Sequence, residues 1–153
     1  MIPATTTRVA EQTDEAINAS TRRQTEENVA YFATQGRGEI DRRLAELDRE
    51  WDIERTLEAN AASIALIGLG LGAFVNRRFF ALPAIVAGFL LQHAVQGWCP
   101  PIPVFRRLGF RTASEIDSER YALKAVRGDF ERLPDREAMS DDGAARLLEA
   151  MRR

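Results

Sequence analysis

Between Glu58 and Glu115 the chain has no acidic residue, although its 23 Asp and Glu are dense on both sides of that gap. It has one cysteine and one histidine. A lone thiol, Cys99, excludes an intramolecular disulfide framework. One His and one Cys leave a protein-only structural zinc site short of its usual ligands, and no cofactor is expected. The first thirty residues lack an apolar stretch, so no cleavable signal peptide is expected, and the first apolar run would itself target the membrane. No internal repeat, low-complexity tract or catalytic constellation emerges, so enzymatic activity is not expected either.

The net charge of −2 hides a segregation. Residues 1–58 carry eight Arg against thirteen acids, 59–114 carry five Arg and no acid, and 115–153 carry eight basic against ten acidic groups. Soluble parts that are acidic or near neutral argue against nucleic acid as a partner, because phosphate binding needs a concentrated basic surface.

The acid-free gap holds two apolar runs, Ala59–Val75 and Phe79–Trp98, separated by Asn76-Arg77-Arg78. A bilayer core of about 30 Å needs roughly 17–20 helical residues. The 18 residues of 59–76 and the 20 of 79–98 each just reach across. The expected architecture is all-α, a two-helix transmembrane hairpin (59–98, turn at 76–78) between a helical arm over 1–58 and a segment over 99–153. Arg42, Arg43, Arg49, Arg55, Arg106, Arg107 and Arg111 flank the hairpin base, against Arg77 and Arg78 at its turn. That asymmetry puts both termini in the cytoplasm, with Trp98 at the headgroup level.

Within the first span, Gly68-Leu69-Gly70-Leu71-Gly72-Ala73 imitates a dinucleotide-binding fingerprint. The ribose-binding carboxylate expected about 20 residues on has no candidate, because the gap runs to Glu115. Gly68 and Gly72 instead share a helical face at the spacing that lets membrane helices approach closely, and Ala84 and Gly88 repeat it on the second span. Whether that contact lies within the hairpin or between copies is left open by spacing alone. Of the polar side chains deep in the second span, Gln92, His93 and Gln96, the two glutamines share a face and are expected to hydrogen-bond across the hairpin to Asn60 or Ser63; proton or metal work by His93 is the alternative. Cys99, before Pro100-Pro101, reads as a structural thiol at a helix stop; a reactive thiol accepting sulfur or metal is the alternative.

In the arms, Ile40, Leu44, Leu47 and Trp51 recur at helical spacing, which predicts an amphipathic helix from about Glu39 to Glu58 running straight into the first span. Its acids outnumber its bases, which favours packing on another helix over a membrane surface. Gly36-Arg37-Gly38 breaks the thin stripe before it. Thr112-Ala113-Ser114-Glu115 is a capping box opening a helix over about 113–126. Arg127-Gly128-Asp129 reads as its end. A last helix over 141–152, capped by Ser140, would follow a linker around Pro134.

Gly97-x-Cys99-Pro100 followed by Leu108-Gly109-Phe110-x-Thr112, after two short apolar helices, resembles the YgaP-like transmembrane domain family over about residues 57–112. The resemblance implies an inner-membrane hairpin, cytoplasmic termini and dimerisation through the hairpin. The rhodanese domain that precedes it in some relatives has no counterpart here, so sulfurtransferase activity does not carry over. The Pro100-Pro101-Ile102-Pro103 connection also departs from the family's compact pattern. The sequence thus points to a membrane component whose partners are the lipid bilayer and either a second copy or another membrane protein.

Overall fold

The computed structural model describes residues 4–131 and, beyond them, 144, 145, 147, 148 and 151. The described residues are helical and contain no strand. In order they form α1 (Arg8–Glu11), α2 (Glu15–Ala33), α3 (Arg37–Leu47), α4 (Ile53–Phe74), a 3-10 turn (Arg77–Phe80), α5 (Ala81–Gln96), α6 (Ile102–Arg107) and α7 (Ala113–Arg127).

Local chemistry sets the joints. The Asp14 carboxylate accepts from Ala16 N (2.8 Å) to start α2, and Asp52 accepts from Arg55 N (2.7 Å) to start α4. Each satisfies an amide that the first helical turn leaves orphaned. The predicted capping box of α7 is present, with Thr112 and Glu115 bonded reciprocally. Gly128, in the left-handed conformation, ends that helix, and Arg127 pairs with both Asp129 and Asp41.

Two apolar clusters organise these elements. Ile40, Leu44 and Leu47 of α3 pack with Ile116 and Leu123 of α7, and Val29 and Phe32 of α2 close over them, making a three-helix head. Val9 of α1, Ile53 and Leu57 of α4, Cys99, and Ile102 of α6 form a second cluster, a collar around the hairpin base. The Lys124 ammonium, on the buried face of α7, donates to the Met151 carbonyl at 2.5 Å. Residues 144, 145, 147, 148 and 151 are helical, within the helix expected over 141–152. Its remaining positions, Ser140 and Pro134 lie outside the described residues.

Two expectations need correction. The helix over 39–58 is broken: α3 stops at Leu47 and α4 starts at Ile53. Asp52 competes as an N-cap, and the break lets Glu50 swing onto Arg111 while Ile53 N donates to the Arg111 carbonyl (2.8 Å). Trp51 therefore leaves the apolar stripe and stands 46% exposed, with the Arg55 guanidinium 4.4 Å over its ring. The spans also shift, from 59–76 and 79–98 to α4 and to a second helix that ends at Gln96. The Pro-rich connection forms the short helix α6, for which Pro103 sits in the first turn where its missing N–H costs nothing.

The hairpin itself is α4 against the 3-10 turn and α5. α4 runs through the glycine-rich segment without a break, so that segment is helix and no phosphate-binding loop. Leu57, Ala61, Gly68 and Gly72 are buried along α4, while Leu66, Phe74 and Leu91 stand 68%, 91% and 68% exposed. A Cβ added at Gly68 would lie 2.8 Å from Pro83 Cδ and 3.0 Å from Leu82 Cβ. One at Gly70 would meet nothing within 4 Å. Gly68→Leu is therefore expected to splay the hairpin, at about 1–3 kcal/mol for overpacking a rigid proline ring. Gly70→Leu should be close to neutral. Thermal unfolding of the two variants in detergent checks this; equal melting temperatures would refute the close approach.

Candidate functional site

The polar groups that sequence periodicity treats as solvated are drawn into the collar and head. Three ion-pair clusters hold the collar and head together, and the first of them reaches the hairpin base. In the first, Arg8 Nη2 of α1 donates to Glu54 Oε1 (3.0 Å), and His93 Nε2 of α5 lies 2.6 Å from Glu54 Oε2. This clamps both hairpin helices and the N-terminal helix at one point.

In the second, Arg106 of α6, 2% exposed, forks onto Glu115 of α7 at 2.6 and 2.7 Å. It also donates to Asn18 Oδ1 (3.0 Å) and the Phe110 carbonyl (3.1 Å). Bidentate geometry of this kind gives the strongest side-chain hydrogen bonds. Burial works to raise the Glu115 pKa, but the Arg106 and Thr112 hydrogen bonds outweigh it and hold the carboxyl below the ordinary range.

In the third, Arg111 forks onto Glu50 (2.8 and 2.7 Å) and reaches Glu119 Oε2 (2.5 Å). Glu119, wholly buried, also accepts from Arg43 Nε (2.8 Å) and Asn28 Nδ2 (3.3 Å). Burial opposes its charge, yet the two guanidinium groups hold its carboxyl below the ordinary carboxylate value. The same contacts outweigh burial in raising the pKa of Arg43 and of Arg111.

These carboxylates are neutralised by neighbouring cations, which makes them struts and leaves them poorly suited to take up protons near neutral pH. Cys99 sits in the apolar collar, 3% exposed, and burial pushes its thiol pKa up, the reverse of what activates a thiol nucleophile. Among the described residues no group of three His, Cys, Asp or Glu is placed to hold a metal ion. A shallow groove of about 220 Å³, lined by Glu50, Trp51, Leu108, Gly109 and Phe110, opens beside the collar.

The residues singled out in the sequence separate into two groups. Gly68 and Gly72 face α5 and the turn before it, within the hairpin; Ala84 and Gly88 are exposed on α5, with nothing within 4 Å of a Cβ at Gly88. Gly97 ends α5 at φ +76°, packed on the Arg8 carbonyl, and Thr112 caps α7. Gly109 turns the chain after α6 at φ +91°, while Pro100 and Leu108 are exposed. The expected bonds from Gln92 and Gln96 to Asn60 or Ser63 are corrected: none forms among the described residues, Ser63 Oγ donates back to the Ala59 carbonyl (2.7 Å), and it is His93 that finds a partner, Glu54. α4 begins six residues earlier than expected, which brings the last carboxylate-bearing turn level with His93.

Sequence reading missed Arg106, Arg111 and Glu119 as buried groups. The signal available was that Glu115 and Glu119, four apart, share the face of α7 that carries Ile116 and Leu123 inward. Comparison with protein-family models, curated proteins and solved structures gave no match.

Proposed function

We propose that this chain is a two-pass protein of a bacterial inner membrane. Its hairpin anchors a helical head on the cytoplasmic side, and it serves as a structural or interaction component that self-associates or joins a membrane assembly. The observation that carries the reading is the hairpin's exposed apolar surface. A soluble protein would leave side chains such as Leu66, Phe74 and Leu91 in water, each forgoing about 1.5–3 kcal/mol of burial. In lipid the same surface is at home, and both helices are long and apolar enough to cross.

Orientation is supported by exposed cations. Arg43, Arg106 and Arg111 are engaged in part-buried ion pairs, while Arg42, paired with Glu39 and Glu46, and Arg49, Arg55 and Arg107 remain on the surface, against Arg77 and Arg78 at the tip. The excess still favours a cytoplasmic head. Ala84 and Gly88, open on α5, offer the small-residue face through which a second hairpin would pack. The resemblance to the YgaP-like transmembrane domain family points the same way.

Single cysteines introduced in a Cys99→Ala background test this. A membrane-impermeant maleimide should label Arg78→Cys in intact spheroplasts, and Arg49→Cys only after permeabilisation. Labelling in the opposite order, or release of the protein by carbonate extraction, would overturn the reading.

A further inference from the structure

The collar has an outward apolar edge that the head does not use. Trp51 and Leu108 line one groove, and Leu108 N bonds back to the Val104 carbonyl (3.0 Å), so Leu108, capping α6, lies one turn on from Val104. All three are exposed, at 46%, 69% and 55%. They sit at the level where α4 begins, because Ile102 of α6 packs on Ile53 and Leu57.

Two arginines accompany this edge. Arg55 lies over the Trp51 ring, and Arg107 is exposed between Val104 and Leu108. Arg106 and Arg111 nearby are engaged with carboxylates, whereas neither Arg55 nor Arg107 has a carboxylate partner among the described residues. Apolar side chains beside unneutralised guanidinium groups match the two ends of an anionic phospholipid: upper acyl chain and headgroup phosphate.

The length of the span supplies an independent reason. From Ala59, after the last acidic residue, to the end of α4 at Phe74 the charge-free part of the helix rises only about 24 Å, so α4 spans a hydrocarbon core of roughly 30 Å only with its first turns drawn up to the interface. A hairpin this short draws the base toward the interface, which brings the collar edge to headgroup depth, where a Trp ring is at home.

We propose that Trp51, Val104 and Leu108, with Arg55 and Arg107, form an interfacial ledge that binds anionic phospholipid at the cytoplasmic headgroup level. This rests on the membrane reading above. The test keeps the two separable by using the chain's only two tryptophans, Trp51 and Trp98, as handles. The full chain carrying Trp98→Phe, with Trp51 as sole reporter, is reconstituted in vesicles of phosphatidylcholine alone or mixed with phosphatidylglycerol. A second protein carries Trp51→Phe, Trp98→Phe and Phe89→Trp, placing the reporter on the exposed flank of α5.

Lipids brominated near the top of the acyl chain should quench Trp51, and phosphatidylglycerol should increase that quenching by about twofold. Arg55→Gln with Arg107→Gln should abolish the increase while leaving the reporter at position 89 quenched. If position 89 is quenched and Trp51 is not, the ledge is wrong and the hairpin stands. If Trp51 is quenched equally in both lipids, selection of anionic lipid is overturned. If neither position is quenched, the membrane reading itself fails.

Discussion

Glu119→Ala should cost the head about 3–5 kcal/mol, the penalty for leaving buried cations without their carboxylate. Glu119 is wholly buried and accepts from Arg43, Arg111 and Asn28 at once. Its removal leaves Arg111, whose side chain is 8% exposed, with Glu50 as its one carboxylate, and leaves Arg43 with Glu46 alone on its own helix. Since whole domains are stable by only about 5–15 kcal/mol, the three-helix head should lose much of its cooperative unfolding transition. Urea unfolding followed by circular dichroism in detergent checks this. Glu119→Gln, which keeps shape and one acceptor, should fall between the variant and the parent.

Acid should act through the same group. The folded-state pKa values of Glu115 and Glu119 lie below the ordinary carboxylate value of 4.5. Their contribution is therefore fully present above that value and is lost as the pH falls through the folded values. Stability should be level from neutral pH to about 5 and decline below about 4.5, with a shallower decline in Glu119→Gln. An unchanged acid limb in that variant would mean that Glu119 is not a charged strut.

Gly97→Ala is expected to have the second large effect. Gly97 holds φ +76°, which costs a non-glycine residue about 1–2 kcal/mol. Its added Cβ would also overlap the Arg8 carbonyl oxygen and lie 2.7 Å from the Arg8 carbonyl carbon. That backbone has little room to retreat, because Arg8 is held by Glu54 and Val9 is buried in the collar. Relief of the overlap adds about 1–3 kcal/mol. Gly109→Ala is the matched control: φ +91° brings the backbone strain, but nothing lies within 4 Å of its Cβ. Trypsin cleavage after Arg8 should accelerate strongly in Gly97→Ala and little in Gly109→Ala. Equal rates would show that α1 is not locked by this contact.

The all-helical fold and the hairpin were legible because apolar run length and capping chemistry are local signals. Thr112 with Glu115, and Gly128 as a stop, fall where side-chain geometry requires them. The break at 48–52 was hidden because the spacing of Trp51 continues the stripe of α3, while Asp52, as a cap, decides against it. The joining of the arms was hidden for another reason. Arg106, Arg111 and Glu119 have the composition of a solvated face, and only their mutual pairing over 61–91 residues of chain, with Glu50, Asn18 and Asn28, makes their burial tolerable. Flanking-charge counting read those arginines as orientation signals and gave no hint that they are also struts. The pairing of His93 with Glu54 escaped notice because the span was started too late.

α4 has a mechanical consequence. It is one uninterrupted helix whose first turn is clamped in the collar by Asp52, Glu54 and Leu57, and whose remainder is half of the hairpin. Its 22 residues make a rod of about 33 Å with no hinge between its ends. A tilt of about 10°, well inside the range of membrane helices, would carry one end about 6 Å sideways relative to the other. The head would have to follow, because Arg8 reaches Glu54 in the first turn of that rod and the Arg111 carbonyl, just before α7, accepts from Ile53 N. A change in bilayer thickness would thus reach α7 as a displacement, converted by leverage alone.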